Sequence, residues 1–296
     1  MTTVKKVSGS WKTTSRHLLI LGDGFTSSEA DKDLYRNLAK MVSTAITGKD
    51  WYLRGNKALC VWRADTYVTN AHNTPLGLGP CPPVLGAPIP MTRFSTAYTA
   101  DENGGCRYLS GDAWKVGDVE IELKGDPGLP KAFDHILVIV NYPRYGGKGL
   151  GKMAWASNDP QDFLNLAIHE LGHTFGLYDE YENACGEPDP GKLVGQAKSF
   201  VSNNNISKNG TPAPWRGFVK GAFLQATKST DSQCPPDNPV PDVDVGAFSG
   251  GFYTHRHFYR PSLSCLMREG EGEFCTICRK IIEHCLAPTK NKSPVT

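Results

Sequence analysis

Apolar positions along the chain fall into a few short continuous runs separated by long polar stretches. His17 to Gly22 (HLLILG) is too short and too continuously apolar for a surface helix, and Asp23-Gly24 closes it, which predicts a buried strand and its turn. Asp134 to Val140 (DHILVIV) predicts a second buried strand. Ala58 to Val68, carrying Cys60, Val61, Trp62 and Tyr67, reads as a third, and the weak alternation of Val116 to Leu123 predicts another. Between the first and third the period changes. Leu34, Leu38, Met41, Val42 and Ala45 recur every three or four positions behind Thr26-Ser27-Ser28-Glu29, which predicts a capped helix running to about Ile46. Asp159-Pro160, an N-cap residue followed by proline, predicts the start of a second helix from Pro160 to about Phe175. Phe274 to Arg279 leads into a last helix ending near Leu286.

The intervening stretches are irregular. Residues 77–83 (GLGPCPP) exclude both a helix and an inner strand. They predict a long loop, either stapled by Cys81 and Cys106 or carrying two unrelated thiols. Asn141 to Gly151, with Gly146, Gly147 and Gly149, reads as a glycine-rich bend feeding an edge strand over Lys152 to Ser157. Free N–H and C=O groups on such an edge would pair with an extended peptide, which makes Gly146, Gly147, Met153, Ala154 and Trp155 the candidate substrate-binding residues, a simple surface hairpin being the alternative. Gly191 to Gly251 predicts mostly irregular structure, with glycosylation sequons at Asn205 and Asn209.

A chain of 296 residues suffices for one large domain or two small ones. The expectation is one domain over 1–296, with an N-terminal subdomain of sheet and helices (1–176) and a C-terminal subdomain of long loops and a final helix (177–296). A net charge of +2 gives no reason to invoke nucleic acid or an anionic membrane as partner. The apolar run Ile136 to Val140 is far too short to span a bilayer. Nine cysteines are many for a reducing compartment. With no export signal visible in Met1 to Trp11, the expectation is a secreted or cell-surface protein whose signal is absent from this sequence, a cytosolic location being the alternative.

The chemistry is concentrated in residues 167–179 (AIHELGHTFGLYD). His169 and His173 are four apart, so a helix places both imidazoles on one face, one turn apart, where they can hold one metal ion. Glu170 lies beside that ion and can act on a bound water; this is the His-Glu-x-x-His zinc signature. Gly176 can take positive φ, end the helix and turn the chain, bringing Asp179 in as third ligand. Glu180 competes for that position, and Glu187 is the candidate if a later helix closes the site. The acidic stretch Asp179 to Pro190 reads as a solvated loop; a calcium site there lacks any recognisable ligand spacing.

Three further groups carry alternatives. Cys275 and Cys278 are spaced for zinc or redox chemistry. Zinc would need two more ligands, from Cys265, His284 or Cys285, whereas the favoured reading is a disulfide to Cys265 or Cys285, or buried thiols. His255 and His257 share one face of a strand and read as surface residues. Tyr259, Arg260, His257 and Arg268 are candidate donors to an oxyanion or substrate, Tyr259 and Arg260 foremost.

With these residues in hand, the chain resembles the IgA-peptidase family of bacterial metalloendopeptidases, within the metzincin-like zinc peptidases. The resemblance rests on Leu18 to Phe25, Cys60-Val61-Trp62-Arg63, Asp134-His135-Ile136, Val140-Asn141, Tyr145-Gly146-Gly147, His169 to Tyr181, Cys265-Leu266-Met267-Arg268 and Phe274 to Cys278. It differs from the family pattern in having one residue fewer between the second His and Asp-Glu-Tyr. The resemblance implies an α/β (α+β) fold: a mixed twisted sheet with an antiparallel edge strand, a zinc helix, a Met-turn at Met267 and a C-terminal helix. It implies one catalytic Zn2+ and hydrolysis of protein or peptide substrates, glycoproteins among them. A zinc-binding but inactive glycoprotein-binding or adhesion module is the rival from another class; the intact Glu170 weighs against it.

Overall fold

The structure, a computed structural model, describes residues 3–9, 16–48, 59–67, 92–99, 107–182, 205–208, 213–216 and 245–287. The chain divides into two compact units, Met1–Thr174 and Phe175–Thr296.

The first unit is built on a mixed eight-stranded sheet. In chain order its elements are β1 (Thr3–Ser8), β2 (Arg16–Asp23), α1 (Glu29–Thr47), β3 (Leu59–Asp65), β4 (Ala97–Thr99), β5 (Tyr108–Ser110), α2 (Ala113–Leu123), β6 (His135–Val140), β7 (Gly147–Leu150), β8 (Met153–Ser157) and α3 (Phe163–Thr174). The spatial order is β1-β3-β2-β6-β8-β7-β5-β4. β2 runs parallel to β3 and β6, and β6 parallel to β8; β7 turns back antiparallel to β8. The apolar runs of β2 and β6 follow from this position, because a central parallel strand is covered on both faces and has no solvent side to make polar. Leu19, Leu21, Ile136, Val138 and Val140 pack on one face with Val116, Val119 and Leu123. Helices α1 and α3 touch each other and the sheet, and contribute nothing to that cluster. Ser28 caps α1, its hydroxyl accepting from the Asp31 N–H.

Two expectations are corrected. Val116 to Leu123 is helical. Asp112 caps α2 by accepting from the N–H groups of Trp114 and Lys115, and the buried positions Val116, Val119, Glu120 and Leu123 recur at the helical period, not at two. The second concerns Lys152 to Ser157: β8 is an inner strand, paired to β6 on one side and β7 on the other. Its Met153, Ala154 and Trp155 therefore have no free edge to offer a peptide. β7 itself pairs with β5 only at Gly147. Beyond it, among the described residues, Lys148 to Leu150 has no outer strand neighbour.

The second unit contains a two-stranded antiparallel ribbon, β9 (Phe248–Gly251) and β10 (Thr254–Arg260), then a short helical turn α4 (Leu266–Glu269) and the final helix α5 (Thr276–Leu286). Gly270, at φ 72, ends α4. Cys81, Cys106, Glu187, Asp189 and Asn209 lie outside the described residues. The sequon at Asn205 is buried: its amide donates to Tyr178 O and Glu180 Oε1, and its carbonyl accepts from Tyr178 N. That side chain has no solvent face for a glycan in the folded chain.

Candidate metal centre

Helix α3 begins at Phe163, after a turn in which Asp159 Oδ1 accepts from the Gln161 N–H. It carries His169, Glu170 and His173. The imidazole centroids of His169 and His173 are 5.1 Å apart with ring planes at 86°, the separation expected of adjacent turns. Glu170 Oε2 lies 4.0 Å from His173 Nε2, and His169 and Glu170 are both buried. The helix stops at Thr174, and Gly176 takes φ 87, the left-handed conformation that lets the chain reverse. His169, His173 and Asp179 each offer one ligand atom, and these atoms all lie within 4.8 Å of one another. Two imidazole nitrogens and one carboxylate oxygen are a donor set suited to zinc.

The glycines before α3 have a steric reason. A Cβ on Gly147 would sit 2.7 Å from Glu170 Cγ, and one on Gly149 2.6 Å from His173 Cβ. β7 thus runs directly along the histidine-bearing helix, an approach open only to residues without side chains. Gly146 is enclosed differently, its would-be Cβ 2.9 Å from Arg107 O and against the Tyr98 ring.

Asp179 is held by groups that sequence reasoning missed. Tyr253 Oη donates to Asp179 Oδ2 at 2.5 Å, and Tyr181 Oη donates to Tyr253 Oη at 2.8 Å. Phe252 N–H donates to Asp179 O, and Tyr253 N–H to Tyr181 O. Phe252 and Tyr253 make these bonds from φ 50 and φ 64, conformations that bulky residues rarely adopt. Such backbone strain is found where surrounding structure fixes a residue for a purpose. The only sequence signal was Gly250-Gly251 before an aromatic pair.

The remaining candidates separate. Met267 is fully buried in α4, and its carbonyl accepts from Glu180 N–H at 2.7 Å. Arg260 is 4% exposed, and its Nη1 donates to Glu182 Oε2 and Ser249 O; Arg268 also bonds Glu182. Tyr259 pairs through its backbone with Ser207. The side chains of His255 and His257 lie outside the described residues. The acidic segment is no solvated loop at its start: Asp179 and Glu180 are buried and Glu182 is salt-bridged. Glu180 turns away to Cys278, whose thiol donates to Glu180 Oε1 at 3.0 Å.

The family model described as IgA Peptidase M64 matches residues 5–222 and 218–286, and the chain belongs to that family. Membership makes it a peptidase, with protein or peptide as substrate. No curated protein matches the chain. Among the described residues no helix is long and apolar enough to cross a membrane.

Proposed function

We propose that the chain is a zinc-dependent endopeptidase with a metzincin-like catalytic domain, in which His169, His173 and Asp179 hold one zinc ion and Glu170 is the general base. The observation that carries this reading is the convergence of those three ligand atoms within 4.8 Å, next to a buried glutamate on the same helix. When bound, zinc supplies a Lewis acid that polarises the scissile carbonyl and lowers the pKa of a coordinated water towards ~7. Glu170 Oε takes the proton of the attacking water and passes it to the departing amine nitrogen. Tyr253, with Tyr181 behind it, fixes the Asp179 carboxylate, the type of outer bond that orients a ligand. Met267 supplies the Met-turn, tied through its carbonyl to the residue after Asp179. An extended peptide pairs with the outer edge of β7 over Lys148 to Leu150, beside the helix that bears Glu170, and not with β8.

Cleavage of a complex peptide library by the wild-type chain, with and without a chelator, tests the proposal alongside Glu170→Ala. Activity that needs both metal and Glu170 supports it. Absence of any cutting by a chain that carries zinc at His169 and His173 would favour the binding-module reading.

A further inference from the structure

Asp179 and Glu180 are adjacent in sequence, yet their side chains join different groups. Glu180 meets Cys265, Cys275 and Cys278, each offering one ligand atom within 4.8 Å of all the others, and all four residues are buried. The assembly lies wholly within the second unit. From it we infer a second metal site: a structural zinc held by Cys265, Cys275, Cys278 and Glu180.

Geometry, hydrogen bonding and an orphaned oxygen carry this assignment independently. Cys265 Sγ and Cys278 Sγ are 3.7 Å apart. A disulfide needs ~2.05 Å, whereas a tetrahedral centre with Zn–S bonds of ~2.3 Å sets its sulfurs ~3.8 Å apart. All three are free thiols. Glu180 is fully buried, and its Oε2 has no hydrogen-bond partner. A carboxylate oxygen enclosed without a donor is costly, and a cation among the three sulfurs supplies its missing partner. The sulfurs are also prepared as acceptors. Cys275 N–H donates to Cys265 Sγ at 3.3 Å, and Cys278 N–H to Cys275 Sγ at 3.5 Å. Cys275 is the N-cap of α5, where the helix terminus favours thiolate. Asn205 Nδ2 orients Glu180 through Oε1 at 2.9 Å. The thiols bind as thiolates, releasing their protons to solvent. Cys285 is no part of the set; its Sγ bonds Phe175 O.

The consequence reaches the candidate centre through covalent adjacency. A metal that holds Glu180 also fixes the backbone bond from Glu180 N–H to Met267 O, and Asp179 is the preceding residue.

The full-length chain, purified under reducing conditions with zinc supplied, should contain two zinc ions by mass spectrometry. The Zn-edge absorption spectrum should show sulfur scatterers at ~2.3 Å. Cobalt substitution separates the sites, because the His-His-Asp set has no sulfur. A sulfur-to-cobalt charge-transfer band should appear in the wild type, persist in His173→Ala and vanish in Cys278→Ser. Each variant should keep one metal. A wild type with no sulfur scatterers and no such band would overturn the assignment whether or not Cys278→Ser folds. So would peptide mapping that finds Cys265, Cys275 or Cys278 in a disulfide. One zinc per chain that is lost in Cys278→Ser but kept in His173→Ala would uphold this site and refute the catalytic metal instead.

Discussion

Two potential metal sites of very different construction meet at the bond between Asp179 and Glu180. The His169-His173-Asp179 group draws all its members from one helix and the turn after it. The Glu180-Cys265-Cys275-Cys278 group joins that same segment to the N-caps of α4 and α5, more than eighty residues on. A locally encoded site can form as soon as its helix does, and its positions are tuned by a few neighbours. A site gathered over a long loop gains more from a metal, because the ion replaces contacts that the chain must otherwise find at the cost of loop closure. The first is therefore suited to chemistry, with the buried Glu170 placed 4.0 Å from His173 Nε2. The second, whose four donor residues are all buried, is suited to holding shape.

Substitutions beside α3 sharpen the contrast most. Gly147→Ala places a methyl group 2.7 Å from Glu170 Cγ. It should lower kcat/KM by about 100-fold, the effect of a misplaced catalytic group, while zinc content stays at the wild-type value. Loss of zinc in that variant would mean that β7 supports the ligands and not the base. Tyr253→Phe removes the hydroxyl bonded to Asp179 Oδ2. A fall of about 10-fold or more in zinc affinity is expected, measured by competition with a chromogenic chelator, and the cobalt-thiolate band should not change.

A smaller effect comes from His135, a buried residue of β6 in the first unit. Burial pushes its pKa down to about 4, against the opposing charge of Asp134. Its Nδ1 bonds Thr174 Oγ1 at 3.0 Å. The folded chain thus keeps His135 neutral where the unfolded chain, with an ordinary pKa of ~6.5, takes up a proton. The unfolded state binds more protons between those values, so this contribution is fully present above ~6.5 and is lost as pH falls towards about 4. Lowering pH from ~7 to ~5.5 should cost about 1 kcal/mol through this residue. Urea denaturation of wild type and His135→Asn at both pH values measures it; an unchanged pH dependence in the variant would remove His135 as the source.

The contrast also explains what could be read from the chain. β2, β6, α1, α3 and the spacing of His169, Glu170, His173 and Gly176 were legible because each is a local pattern with its own period. Val116 to Leu123 misled because Val119, Ile121 and Leu123 alternate in the sequence although Ile121 is exposed, and the Asp112 cap outside the run was overlooked. β8 was taken for an edge because the residues that form β7 look like a loop: Gly147 and Gly149 are there to let a strand pass over α3, a reason invisible without the helix in place. Tyr253 and the destination of Glu180 depend on contacts across seventy to a hundred residues, which no local period encodes. The cysteine spacing pointed to Cys275 and Cys278 as a pair with Cys265, His284 or Cys285 as possible partners, and tertiary structure placed Cys265 beside them and added Glu180.

The account rests most heavily on Glu170 as the base of a metal-dependent peptidase. The direct test is kcat/KM of wild type and Glu170→Ala on the best-cut library peptide, with zinc content measured on the same samples. The account predicts equal zinc in both and a loss of at least about 100-fold in the variant. Equal zinc with cleavage retained near the wild-type rate would contradict it.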